Sequence, residues 1–347
     1  MKVLLIGGSG FIGPHVARDL IAQGHQVAVF HRGQSKVAQA EGARQILGDR
    51  QALGDSVPEF RRFAPDVVVD LILASERQAR DLMNAFRGIA GRVVALSSGD
   101  VYRAAGILHG LEPGPLQPVP LTEDSELRTR RNVYPPEALA MLRRAFPWLD
   151  DEYDKIPAEQ QVMGNPDLPG TVLRLPMIYG PGDPLHRLHP ILKRIDDGRP
   201  AILFQQEAAQ WRGPRGYVEN VGAAISLAVV SSKASGRVYN VAEPHPFSDL
   251  EWAQQVGRVA GWKGAVVALP KAQTPAHLQI SHNPAQHWTL SSARIREELG
   301  YREPFPLDTA LERTIAWERS NPPPAEIDPK QFDYAAEDAA LAESEKW

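Results

Sequence analysis

Seven residues near the start of the chain, Gly7-Gly8-Ser9-Gly10-Phe11-Ile12-Gly13, constrain its fold more than anything after them. They follow an apolar run, residues 1–6, whose only charged side chain is Lys2 and which reads as a buried parallel strand. A helical stretch, residues 14–23, comes next, then Gly24 and a second apolar run, residues 26–30. Glycines at 7, 10 and 13 leave a tight turn free of Cβ atoms. A pyrophosphate can then approach backbone N–H groups at the start of a helix whose dipole favours anions. A glycine triplet alone is weak evidence, but set between a strand and a helix it has the context a dinucleotide-binding turn requires.

The remainder of the chain repeats the strand–helix alternation. Residues 67–74 and 92–96 are β-branched, apolar runs, the second leading into Ser97-Ser98-Gly99, and residues 75–90 between them carry helical spacing. Further strands are expected at 171–175 and 237–242, and helices at 136–146, 190–197, 220–231, 248–260 and 291–299. Residues 106–120, rich in Pro and Gly, read as a surface loop. The pattern predicts an α/β protein with a doubly wound parallel sheet, and ligands in such sheets bind outside the C-terminal ends of the strands. With 347 residues, two lobes are expected rather than one. No cysteine occurs, which excludes disulfides, thiolate catalysis and cysteine-bound metals. The net charge of −4 gives no bulk attraction to nucleic acid or anionic membrane. No apolar stretch reaches membrane-span length, and the glycine turn interrupts the first apolar run too early for a signal peptide. The default is a cytoplasmic enzyme or binding protein with a small-molecule substrate and no bound metal. His186 and His189 have a spacing that can hold a metal, but no carboxylate joins them at matching spacing.

Six segments occur in an order and at a spacing that resemble a known family. They are the glycine turn; Ser97-Ser98 with Val101-Tyr102; Lys155 with Ala158-Glu159; the run from Arg174 to Asp183; Tyr217-Val-Glu-Asn-Val; and Val238-Tyr-Asn-Val. Together they resemble an extended short-chain dehydrogenase/reductase of the NAD-dependent epimerase/dehydratase group over roughly residues 1–320. The resemblance implies a Rossmann domain at 1–175 and 217–242, and a smaller C-terminal substrate lobe at 176–216 and 243–320. The acidic tail, 321–347, is then an appended arm, a docking helix or unstructured. It further implies cofactor contacts from Gly7, Gly10, Phe11, Ile12, Gly13, Asp49, Arg50, Leu71, Ser97, Lys155, Pro176 and Ile178, and substrate contacts from Tyr102, Arg212 and Arg215. A homodimer formed through a helix pair is compatible with the resemblance. The function implied is epimerisation, dehydration or reduction of a nucleotide-sugar or similar carbonyl or alcohol. The alternative is a non-catalytic NADP-binding protein with a redox-sensing or RNA-associated role.

The second strand ends in Phe30-His31-Arg32-Gly33, with no Asp or Glu between Asp19 and Glu41. A carboxylate there would bind the ribose 2′-hydroxyl of NAD, whereas Arg32, with His31 and Lys36 nearby, suits the 2′-phosphate of NADP. NADP is therefore expected over NAD. The family's redox site uses a Ser, matched here by Ser98, and a Tyr four residues before a Lys, matched only at Lys155. Asp151 stands four residues before Lys155, and Tyr153 only two. In a regular helix, positions two apart differ by about 200° in azimuth, which turns Tyr153 and Lys155 to opposite sides. The YxxxK dyad is thus not intact. Tyr153 serves as proton carrier only from an irregular first turn; Asp151 and Tyr134 are the other candidates. Arg128, Arg130 and Arg131 form either a solvated patch or an anchor for a substrate phosphate.

Overall fold

The computed structural model describes residues 1–34, 40–131, 134, 136–323 and 329–344. Eleven strands are present among them: β1 (Lys2–Ile6), β2 (Gln26–His31), β3 (Arg44–Leu47), β4 (Val67–Asp70), β5 (Arg92–Ser98), β6 (Gly170–Leu175), β7 (Met177–Tyr179), β8 (Ala201–Gln205), β9 (Arg215–Tyr217), β10 (Val238–Asn240) and β11 (Ala265–Leu269). Seven form one all-parallel sheet in the order β10-β6-β5-β4-β1-β2-β3. The chain winds outward from β1 in both directions, so the switch point lies between β1 and β4. Two short parallel pairs, β7 with β9 and β8 with β11, lie outside this sheet.

Both faces of the large sheet are covered, which is why its central strands are uninterrupted apolar runs. Val3 and Leu5 join a core built with helices Gly13–Ala22 and Val218–Val230, whereas Leu4 and Ile6 join one built with helices Glu76–Phe86 and Lys155–Met163. The period-two alternation of strand side chains divides one apolar run between two cores.

Several elements differ from expectation. The strand expected over 67–74 ends at Asp70, because the Asp70 carboxylate accepts the Ile72 amide at 3.0 Å and pairs with Arg50 at 2.8 Å. Leu71 still donates its amide to the Ile6 carbonyl at 3.0 Å, and the chain leaves the ladder after it, at the sheet's C-terminal edge. Part of the loop expected at 106–120 is helical, over Arg103–Leu108. The edge strand β3 has a single buried residue, Ile46, and gives no clear apolar signal. The tail folds back as helix Tyr334–Ser344, where Glu337 is buried against Arg194 at 2.6 Å.

Candidate functional site

The glycine turn sits at the switch point. Gly7 has φ +80°, and a Cβ there would lie 2.6 Å from Ile72; a Cβ on Gly13 would lie 2.4 Å from the Gly8 backbone. Only glycine lets the helix start press this closely on the turn. Ile12 supplies no side-chain cap to helix Gly13–Ala22; Pro14 has no N–H and His15 donates to the Ile12 carbonyl at 3.1 Å, which leaves the Gly13 amide as the first-turn donor for an anion.

Two cavities meet at this turn. A central one of about 470 Å³ is lined by Gly7, Gly10, Phe11, Ile12, Gly13, Leu71, Ser97, Ser98, Lys155, Pro176 and Ile178, among others. A second, of about 500 Å³, shares Gly7, Gly10, Phe11, Ile72, Phe146 and Trp148 and extends to His31, Arg32, Asp49 and Arg50. The two form one groove bent over the glycine turn, with room for one nucleotide on each side. Arg50 is 7% exposed, and its Nη2 holds Asp70 and the Gln78 carbonyl, each at 2.8 Å. Its Nε and Nη1 are buried with no hydrogen-bond partner among the described residues. Such orphaned donors on a cavity wall suit an acceptor-rich ligand. Lys36 lies outside the described residues.

Behind Tyr134 and Tyr153, which line the central cavity, Asp100 is fully buried. Its Oδ2 accepts the Tyr153 hydroxyl at 2.6 Å and the Tyr134 hydroxyl at 3.1 Å. Burial, and next the Asp100 carboxylate, push both tyrosines well above the usual phenol range. Ser98 lines the same wall, and its Oγ accepts the Asp100 amide at 3.1 Å. Lys155 Nζ donates to the carbonyls of Leu73 and Leu96 and lies 5.8 Å from the Tyr153 ring centre. Burial pulls its pKa down to about 8 against the opposing pull of Asp100, Asp70 and Glu159. His109 and His282, also on the wall, are held below the usual imidazole range, chiefly by burial.

The azimuth objection to Tyr153 is removed by where the helix begins. Asp154 is its N-cap, in extended conformation (φ −158°, ψ 115°), and accepts the Ile156 amide; Lys155 is the first helical residue. Tyr153 therefore precedes the helix, and both side chains reach one cavity. Asp151 is excluded: its side chain is 95% exposed and pairs with Arg143 at 3.0 Å. Tyr134 enters the site.

Other expected contacts fall elsewhere. Tyr102 is fully buried, donates to Asn240 at 2.6 Å and accepts from Arg174 at 3.0 Å, so it does not face the cavity as a substrate contact. Ser97 reaches the wall, but its hydroxyl is spent on Glu159, which is paired with Arg174. Arg212 lines none of these cavities; it pairs with Glu251 at 2.8 Å. Arg215 lines a third cavity and pairs with Asp249. Arg128 is neither solvated nor a phosphate anchor: it is buried, holding Asp154 at 2.6 Å and the Asp100 carbonyl at 2.9 Å. His186 pairs with Glu318 at 2.7 Å and stacks on Trp317. The residue that the sequence argument passed over is Asp100; a carboxylate two positions after Ser98, at the ligand-bearing edge of the sheet, was the available signal.

A parallel sheet with a glycine turn at its switch point and a two-chambered groove above it defines a dinucleotide-binding α/β protein. The model of the NAD dependent epimerase/dehydratase family matches residues 3–242, and the chain belongs to that family. It is 26% identical over 277 residues to the 2′-dehydrokanamycin reductase of Streptomyces kanamyceticus, covering 78% of this chain and 70% of that protein. It is likewise 26% identical over 319 residues to a 3-diazoavenalumate denitrifying reductase of Streptomyces sp, covering 88% and 97%. Among solved structures, a UDP-glucose 4-epimerase matches with a TM-score of 0.67 at 19% identity, covering 93% of this chain and 98% of that one, a likeness of fold.

Proposed function

We propose that this chain is an NADP-preferring oxidoreductase or epimerase acting at a carbonyl or alcohol carbon of a small substrate, of the sugar, nucleotide-sugar or comparable type. One observation carries the reading: the groove over the glycine turn ends at a Tyr–carboxylate pair beside a buried lysine and a serine hydroxyl. Two of the similar proteins are named as reductases, which agrees with that chemistry.

The nicotinamide dinucleotide, when bound, would supply or accept a hydride at the substrate carbon. Gly7, Gly10, Phe11, Ile12 and Gly13 would hold its diphosphate, Asp49 and Arg50 the adenosine, and Leu71, Ser97, Pro176, Ile178 and Lys155 the nicotinamide half. NADP is preferred because His31 and Arg32 are the side chains at the end of β2 on the groove wall, where a carboxylate would otherwise select NAD. Ser98 Oγ would hydrogen-bond the substrate oxygen. In oxidation the substrate proton would pass to Tyr153 as Tyr153 passes its own to Asp100, and in reduction the same two transfers would run in reverse, so that no phenolate is left against the Asp100 carboxylate. Asp100 acts through Tyr153 and is a positioning residue. Lys155, charged below about pH 8, would donate to the ribose hydroxyls.

The test is a single-turnover assay of NADPH oxidation with a panel of dehydrosugars, nucleotide-linked ketosugars and oxoacids. Tyr153→Phe should lower the rate about 10²- to 10⁴-fold, the usual contribution of one positioned acid, and leave NADPH affinity unchanged. Equal rates for Tyr153→Phe and the parent would remove Tyr153 from the mechanism.

A further inference from the structure

Beyond the central cavity lies a third cavity of about 500 Å³, reached past Met177, Arg187 and Trp211, which line both. Its remaining wall is dominated by Ile191, Ile202, Leu203, Phe204, Leu278 and Trp252. A substrate whose reacting carbon sits at Tyr153 extends naturally into it. We propose that this cavity receives the apolar body of a carbonyl or alcohol substrate that carries no nucleotide diphosphate. The inference rests on the central cavity being the reacting site and narrows which substrate class enters it.

The charges on the wall decide the matter. Its arginines, among the described residues, are Arg187, Arg194 and Arg215. Arg187 is held by Asp183 at 2.7 Å, Arg194 by Glu337 at 2.6 Å and Arg215 by Asp249 at 2.5 Å. The carboxylates of Asp183 and Glu337 are each 1% exposed. Recruiting either arginine to a phosphate would leave a buried carboxylate uncompensated, which is strongly unfavourable. Glu337 belongs to the tail helix, so the folded-back tail itself takes Arg194 out of anion binding and also accepts a hydrogen bond from His277 at 3.0 Å. Formal charge at the wall cancels pair by pair, whereas a diphosphate brings about two negative charges needing cations with free N–H groups. Apolar matter meets no such obstacle: aliphatic and aromatic side chains offer it surface, and the thioether of Met177 at the passage adapts to shape.

The full-length protein, with and without NADPH, can be titrated with benzylacetone and methyl nonyl ketone and, separately, with UDP and UDP-glucose, following tryptophan fluorescence. Trp211 and Trp252 report from the wall. The expected result is saturable, salt-insensitive binding of the ketones, with the UDP compounds weaker by at least about tenfold, a difference of about 1.4 kcal/mol. Ile191→Asp, on a part-exposed helix position, should weaken the ketones about tenfold and leave NADPH affinity as it was. UDP binding as tight as the ketones, competition of UDP with benzylacetone, or no ketone binding would overturn the proposal. Failure of NADPH to bind would instead strike the dinucleotide reading, with the ketone–UDP comparison still legible.

Discussion

At the scale of single residues, the site turns the usual tyrosine–lysine logic around. A lysine beside a tyrosine favours the phenolate, but here Asp100 lies closest to the Tyr153 hydroxyl and favours the phenol. Asp100→Asn removes that negative charge. It should move the alkaline limb of the turnover profile to lower pH, because Tyr153 then ionises more readily; an unmoved limb would show that Asp100 does not govern Tyr153. Lys155 gives a second pH dependence with a definite sign. Its pKa is lowered to about 8, so the ammonium persists below that pH and is lost above it. NADPH affinity should therefore weaken as pH rises from 7 to 9.5, and Lys155→Met should abolish the slope. Linkage runs the opposite way for stability: a depressed lysine contributes stability that is fully present above its unfolded value and is lost as pH falls through about 8. Lys155→Met should consequently be relatively more stable near neutrality than at high pH. Asp100 was legible in Ser98-Gly99-Asp100, but its capture of two tyrosines is a tertiary fact. The burial of Arg128 is another, because a run of arginines in sequence looks the same whether solvated or enclosed.

At the scale of elements, the alternation of strands and helices was legible because doubly buried strands must be apolar throughout. The exceptions have local causes. β3 lies at the sheet edge with three exposed residues in four, and β4 stops where the Asp70 carboxylate takes the Ile72 amide. The azimuth argument against Tyr153 holds only inside a helix, and the Asp154 cap starts the helix after Tyr153, which meets the condition of an irregular first turn. That helix is tied to the sheet by Glu159 and Arg174, paired at 2.7 Å with exposures of 8% and 5%. Arg174→Met leaves Glu159 buried and uncompensated and should cost about 3–5 kcal/mol in urea unfolding. A loss below about 1 kcal/mol would show that the pair does not fasten the helix that begins at Lys155.

At the scale of the whole molecule, the sheet supplies a rigid edge with two chambers along it, one toward Arg32 and one at Tyr153, and a third chamber lies beyond the second, past Met177 and Trp211. Met177, Arg187 and Trp211 join the last two, while the glycine turn joins the first two. Among the described residues, no helix is long and apolar enough to cross a membrane. The tail, read from sequence only as acidic and alanine-rich, reaches the third chamber's wall at Gln331 and holds Arg194 of that wall through Glu337; its register against Arg194 could not be seen without the fold. The account stands on a single ligand filling the first two chambers together. Calorimetric titration with NADPH and with NADH tests it most directly. It predicts one site per chain, with NADPH tighter than NADH by at least about tenfold, or about 1.4 kcal/mol; absence of heat with either coenzyme would contradict it.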